Sequence, residues 1–283
     1  MAVIAAELES AEAEPVAPEM LLDRDAYPVD DLRAPATRTL VESCKAQLAA
    51  TGACELPGFL TPQATARMVR ESDTLSPLAH HAAGPITIYL EPAHHDLPAS
   101  HPRRHLGQSS LAAIAYDLFP RSHALRALYE WDPLMSFLSA CLGRDSLYRY
   151  ADPFGALNVA VMRDGDELDW HFDQTDFVVS IALRDADEGG DFEYAPYLRS
   201  ASDERYADVQ AVLEGDLARV RRVPMTPGTL LLFQGRHSMH RVTRIHGATS
   251  RLVALLAYDT EPGTVSSEFL RLARYGRSAS RSS

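Results

Sequence analysis

From Leu147 to Asp259 the chain is broken into a succession of short apolar segments: "LYRYADP", "LNVAVM", "ELDWHFD", "DFVVSIALRD", "GDFEYAPY", "RRVPM", "GTLLLF", "MHRVTRI" and "SRLVALLAYD". Each is too short to bury one face of a helix over several turns, and each is rich in the β-branched and aromatic residues that suit a pleated sheet. Gly, Asp and Pro separate them at short intervals, the pattern of an antiparallel sandwich or barrel. Two separators carry defined turn chemistry. "RDGDE" at 163–167 and "TPGT" at 226–229 place Gly165 and Gly228 where the backbone can take positive φ.

Upstream the period changes. "APATRTLVESCKAQLAA", from Ala34 to Ala50, spaces its apolar residues as an amphipathic helix that Gly52 ends. "ACELPGFL" reads as a short strand. Thr61 followed by Pro62 is an N-cap and first-turn signature for a helix through "TPQATARMVRESDTL". Residues 91–110, rich in His, Pro and Arg, show no period and read as a long loop, of the kind that is functional or disordered. Helices are expected again through "LAAIAYDLF" and "ALRALYEWDPLMSFLSACLG", up to Gly143. "DERYADVQAVLEG" is a helix within the strands, and "SSEFLRLARYG" a closing one at about 266–275. The expectation is a single domain over 21–277: a helical layer at about 34–143 packed on a β-core at about 147–260. Residues 1–20 are expected to be disordered and 278–283 a polar tail.

Composition narrows the partners. Lys+Arg total 27 against 39 Asp+Glu, a formal net charge of −12, which argues against a nucleic-acid or anionic-membrane partner, since both require a basic face. Cys44, Cys54 and Cys141 form no CxxC pair and no even set, so neither a disulfide framework nor a structural zinc site is expected. No apolar run approaches the roughly 20 residues of a membrane span, and the N-terminus lacks the basic start of a signal peptide. A cytoplasmic location is expected.

Within the strand-like stretch "DELDWHFDQTDF", His171 and Asp173 lie two positions apart. In an extended strand such residues project to one side, so imidazole and carboxylate converge. Two histidines and one carboxylate can bind one face of Fe(II) and leave positions open for co-substrate and oxygen. His240, in the turn-and-strand "FQGRHSMHRV", completes that set once folding brings it near. Arg251 opens the apolar strand "SRLVALLAYD", where a guanidinium needs a partner; its planar fork suits a carboxylate.

These residues resemble the pattern of the Fe(II)/2-oxoglutarate-dependent oxygenases: HxD in "WHFD", a distal His in "MHRV" and a downstream Arg in "SRLV". "WHFDQTDFVVSIALRD", "GGDFEYAPYLRS" and "FQGRHSMHRVT" look like the branch of radical halogenases and hydroxylases of free amino acids, over roughly residues 145–260. The resemblance implies a double-stranded β-helix of jelly-roll, cupin-like form. It implies His171, Asp173 and His240 as iron ligands, Arg251 on the distal carboxylate of 2-oxoglutarate, and O2 as the other co-substrate. The halogenases of this branch have Gly or Ala where Asp173 stands, and chloride takes that site. With a carboxylate here, hydroxylation is the expected outcome, and succinate and CO2 the co-products.

By the same resemblance an arginine near "HPRRHLG", Arg103 or Arg104, grips the substrate's α-carboxylate, and "RYGR" at 274–277 closes over the site with Arg277. Gln174 and Asp176 follow the metal pair, and Asp176 suits a substrate ammonium. Asn158 in "LNVAV" is either a satisfied structural amide or a contact to the co-substrate. The partner expected is a small amino-acid-like molecule with a neutral side chain, and a homodimer is compatible with it. Three other outcomes remain open at this level: desaturation or ring closure on a modified amino acid, a carrier-bound or peptide substrate, and a non-catalytic cupin-like binding module.

Overall fold

A computed structural model describes residues 16–92 and 94–278. Residues 1–15 and 279–283, which hold most of the expected disordered segment and tail, lie outside the described residues. Residues Pro18–Leu21 form a 3-10 turn that buries Leu21, so order begins before residue 21. In chain order the elements are α1 Pro35–Thr51, β1 Ala53–Leu56, α2 Pro62–Leu75, β2 His80–Thr87, β3 Leu106–Ile114, α3 Ala124–Tyr129, α4 Asp132–Cys141, β4 Tyr148–Arg149, β5 Leu157–Met162 and β6 Glu167–His171. They continue with β7 Val178–Arg184, β8 Phe192–Ala195, α5 Tyr206–Leu213, β9 Arg221–Val223, β10 Leu230–Phe233, β11 Met239–Val242, β12 Arg251–Leu256, β13 Tyr258–Asp259 and α6 Glu268–Tyr275.

The helix punctuation is where local chemistry places it. Thr61 caps α2 by accepting from the Ala64 N–H at 3.2 Å. Gly52 ends α1 at φ 73°, and its N–H donates to Leu48 O at 2.7 Å. A Cβ at Gly52 would lie 2.7 Å from Ser238 Oγ, and Gly52 O accepts from Gln234 N–H, so this corner pins the loop that leads into β11.

One sheet runs β1-β10-β7-β12-β5-β3-β6-β11-β8-β9, with β2 added on β3 and every pairing antiparallel. It curls until its ends face each other. Phe192 and Tyr194 of β8 meet Phe233 of β10 with ring centroids 5.0 and 5.4 Å apart. The result is a nearly closed double-stranded β-helix, as the resemblance implied. α1 to α4 cover one wall. Val159, Val161, Ile181 and Ala254 point into a core shared with Cys44, Leu48, Met68 and Phe137. Each fully buried Leu, Ile or Phe there contributes roughly 1.5–3 kcal/mol. The alternate residues of the same strands, Asn158, Ala160, Met162, Arg251 and Val253, face the interior, matched in register as Arg251↔Met162 and Val253↔Ala160.

Two segments depart from expectation. The layer over 34–143 is not wholly helical, because β1, β2 and β3 belong to the main sheet. "LAAIA" is not a helix. It is the end of β3, with Leu111, Ala113 and Ala115 in one buried cluster and Ala112 and Ile114 in another. Alanine favours a helix in isolation, but pairing with β2, β5 and β6 decides the conformation. β2 carries Pro85 and pairs only with β3, an edge position that tolerates proline. The three cysteines are buried free thiols. Among the described residues no helix is long and apolar enough to cross a membrane.

Candidate metal centre

β6 and β11 pair so that His240 faces His171 and Val242 faces Leu168. Between these pairs Arg241 on β11 therefore opposes both Asp169 and Trp170 on β6, which is a bulge. It lets Leu168 and His171 point to the same side despite their odd spacing. β3 approaches closely at this point, since a Cβ on Gly107 would lie 2.7 Å from Asp169 Cβ. The two imidazoles stand with centroids 4.1 Å apart. β6 ends at His171, and Asp173 is placed by the segment beyond it, where Asp173 N–H donates to Gly235 O at 3.1 Å.

Nε2 of His171 is 3.8 Å from Asp173 Oδ1, and Nε2 of His240 is 3.5 Å from Oδ2. One nitrogen from each ring and a carboxylate oxygen all lie within 4.8 Å of one another, the one such group among the described residues. His171 Nδ1 is 2.8 Å from Asp169 O and His240 Nδ1 is 3.0 Å from Ser238 O. A carbonyl only accepts, so both Nδ1 atoms carry the proton and both Nε2 lone pairs face the centre, as metal-binding imidazoles require. Both histidines are buried. Burial first, then the facing His240, hold His171 neutral, with its pKa pulled down to about 3. Burial alone would raise Asp173, but His240 and His171 outweigh it and keep the carboxylate below its usual range. Two neutral imidazoles and one carboxylate, fixed from behind by backbone carbonyls, form a donor set suited to Fe(II) on one face.

Arg251 faces the interior and is 5% exposed. Among the described residues it makes no ion pair; its nearest polar contact is Met162 Sδ at 3.9 Å. Burial pulls its pKa down to about 10, with Asp185 and Asp191 acting only at longer range. The guanidinium lines a cleft of about 370 Å³ together with Phe192, whose ring lies 5.5 Å from that of His240. A buried cation without a close counter-ion is costly, so the guanidinium itself suits an anion, while the outer lining of the cleft carries Asp185, Asp187, Glu188 and Asp191. Asn158 also faces inward, and its Oδ1 is buried without a hydrogen-bond partner.

The other sequence-selected residues are engaged elsewhere. Arg103 pairs with Glu91 and Glu204, donates to Tyr206 Oη at 2.8 Å and lies over Tyr89. Tyr89 stacks on Phe172, the neighbour of His171. Arg104 donates to Leu97 O at 2.9 Å. Gln174 is exposed and donates to Leu90 O, and Asp176 is exposed in ion pairs with Arg236 and Arg144. Arg277 forks onto Asp117 and covers the Phe154 ring. Arg274 had no sequence signal to separate it from Arg271 and Arg277, which recur at the same helical spacing. Yet its charge is the one of the three that bears on His171 and Asp173.

The family model described as Halogenase D matches residues 36–268. No curated protein matches the chain. Among solved structures the chain is similar to the non-heme alpha-ketoglutarate-dependent epimerase SnoN from nogalamycin biosynthesis, at 15% identity over 78% of this chain and 83% of that one, with TM-score 0.52. It is similar to AviO1 from Streptomyces viridochromogenes Tue57 at 16% identity, 77% and 93% coverage and TM-score 0.52. It is also similar to a prolyl hydroxylase from Trichoplax adhaerens, solved with a hypoxia inducible factor peptide fragment, at 15% identity, 78% and 90% coverage and TM-score 0.51. At such identities the likeness is one of fold.

Proposed function

This chain belongs to the Halogenase D family, and on that premise we propose that it is an Fe(II)/2-oxoglutarate-dependent oxygenase that hydroxylates a C–H bond of a free amino acid or amino-acid derivative. The observation that carries the assignment is the carboxylate of Asp173 set against the two inward Nε2 atoms of His171 and His240. These three residues would hold the iron, and Arg251 would hold the distal carboxylate of 2-oxoglutarate, with Asn158 on the same inward face. When bound, metal and co-substrate supply the oxidising chemistry, in which O2 and 2-oxoglutarate give succinate, CO2 and one oxygen atom inserted into the substrate.

The chain's own residues bind, orient and exclude. The carbonyls of Asp169 and Ser238 fix both ring orientations. Arg251 gains the counter-ion that the apo interior does not give it. Leu168, Val242, Phe154 and Phe192 make the surroundings apolar and keep water out. The carboxylate of Asp173 is the point at which this chain departs from the halogenases it resembles, since it fills the position that halide needs.

The test is to assemble the protein with Fe(II) and 2-oxoglutarate without oxygen, admit oxygen in the presence of a panel of amino acids and chloride, and measure succinate and product mass. Substrate-dependent succinate with a product heavier by one oxygen atom is expected. A chlorinated product would overturn the role given to Asp173, and succinate formation that no free amino acid stimulates would overturn the substrate class.

A further inference from the structure

The segment that follows β8 clasps the turn that precedes β11. Tyr197 N–H donates to Ser238 Oγ at 3.2 Å, and the Tyr197 hydroxyl donates to Gln234 Oε1 at 2.8 Å. Arg199 N–H donates to His237 O at 3.3 Å, and Arg199 Nε donates to Arg236 O at 2.7 Å. The turn held in this way carries two backbone contacts of the metal centre. Gly235 O accepts from Asp173 N–H, and Ser238 O accepts from His240 Nδ1. Residues 234–238 therefore join the clasp to the ligands.

Arg199 reaches the other ligand segment as well. Its guanidinium carbon lies 4.3 Å from the centroid of the Phe172 ring and 5.1 Å from that of Tyr89. Phe172 stands between His171 and Asp173, and its ring is buried in a cluster with Trp170, Leu198 and Met239. The Arg199 side chain is 13% exposed, so cation and ring meet largely out of water, where such a contact is strongest. Its Nη1 lies 3.1 Å from Glu204, and Glu204 holds Arg103 at 3.4 Å. Arg103 in turn covers Tyr89 and pairs with Glu91, both in the segment between β2 and β3. One guanidinium thus spans Phe172, the 234–238 turn and, through Glu204, the long segment that carries Arg103.

From this geometry we infer that Arg199 is a positioning residue of the metal centre. It holds the Phe172 ring and the Arg236 carbonyl in one place, and so fixes the Asp173 carboxylate against the two imidazoles from behind. Glu204 ties that position to the seating of Arg103. The inference rests on the oxygenase assignment above and assigns Arg199 a part in that site without contact to metal, co-substrate or substrate. A guanidinium suits the task because its planar fork serves two acceptors while its face covers a ring, whereas an ammonium is a point charge. Supports of metal ligands are typically worth 10–100-fold in metal affinity.

The test is anaerobic titration of the full chain with Co(II), a visible stand-in for Fe(II). Calorimetry reads the affinity, the cobalt ligand-field absorption reads the geometry, and thermal unfolding of the metal-free forms is measured beside them. The wild type is expected to bind the metal, and Asp173→Gly to bind it at least tenfold more weakly. Arg199→Met is expected to lose roughly 10–100-fold in affinity and to change the absorption band. Arg199→Lys is expected to fall between Arg199→Met and the wild type in both. Arg199→Met/Glu204→Gln should bind no worse than Arg199→Met alone, because both changes act on one support. Wild-type affinity and spectrum in Arg199→Met, whatever its melting temperature, overturn the inference and leave the oxygenase assignment standing. Should Arg199→Met not fold, wild-type affinity and spectrum in Arg199→Lys overturn it. Additive losses in the double variant overturn the tie through Glu204. A wild type that binds no metal overturns the oxygenase assignment, and the inference with it.

Discussion

Gly235 sets the position of the Asp173 carboxylate. A Cβ added at Gly235 would lie 1.6 Å from Asp173 Oδ2 and 2.5 Å from its Cγ. Ordinary van der Waals contact begins near 3.4 Å, so the carboxylate must retreat by about 1.8 Å, the difference between 3.4 and 1.6 Å. The backbone cannot yield easily in its place, because Asp173 N–H donates to Gly235 O. Nor does Gly235 sit at positive φ, so the substitution adds bulk without backbone strain. Metal–ligand distances tolerate only about ±0.2 Å. Gly235→Ala is therefore expected to remove Asp173 from the donor set and lower metal affinity by roughly 10–100-fold, the loss typical when a ligand's support is disturbed, or about 1.4–2.7 kcal/mol. Anaerobic calorimetric titration with Fe(II) or Co(II) measures it. The double variant Asp173→Gly/Gly235→Ala should bind metal no worse than Asp173→Gly alone, because both changes act on one carboxylate. Wild-type affinity in Gly235→Ala, or additive losses in the double variant, would refute the steric account.

Asp173→Gly should reduce hydroxylation on the order of 100-fold or more while thermal unfolding stays close to wild type, checked by succinate assay and calorimetry; undiminished turnover removes Asp173 from the metal. Arg251→Met should raise half-saturation by 2-oxoglutarate roughly 10–150-fold, the worth of about 1.5–3 kcal/mol for hydrogen bonds to a charge. The same variant should leave the ligand-free protein as stable as wild type or more so, because a buried unpaired cation is gone; a destabilised apo variant contradicts this. Thr61→Ala should cost about 1 kcal/mol by leaving the first turn of α2 uncapped, read as a fall of roughly 2–4 °C in melting temperature. Burial raises Asp152, but hydrogen bonds from Phe154, Ser266 and Gly155 prevail and hold its pKa below the ordinary value. Its stabilisation is therefore complete above about pH 4 and is lost as pH falls through the depressed value. Asp152→Asn should flatten that acid limb in stability-against-pH curves, and an unchanged limb would show that other groups govern it.

Much of this molecule is written in local sequence. The strands of the β-core, the Thr61–Pro62 helix start, the Gly52 stop and the His-x-Asp spacing are legible because cap, turn and pleat chemistry acts over a few residues. Tertiary structure decided the rest. β3 reads as loop and then helix, and becomes a strand only because β2, β5 and β6 flank it. Arg103 and Asp176 read as substrate contacts, but Glu204, Arg236 and Arg144 meet them from distant parts of the chain. The bulge on β6 and the room beside Gly235 are each made by segments far apart in sequence. Such contacts leave no periodicity, because the side chain that defines the position belongs to another element.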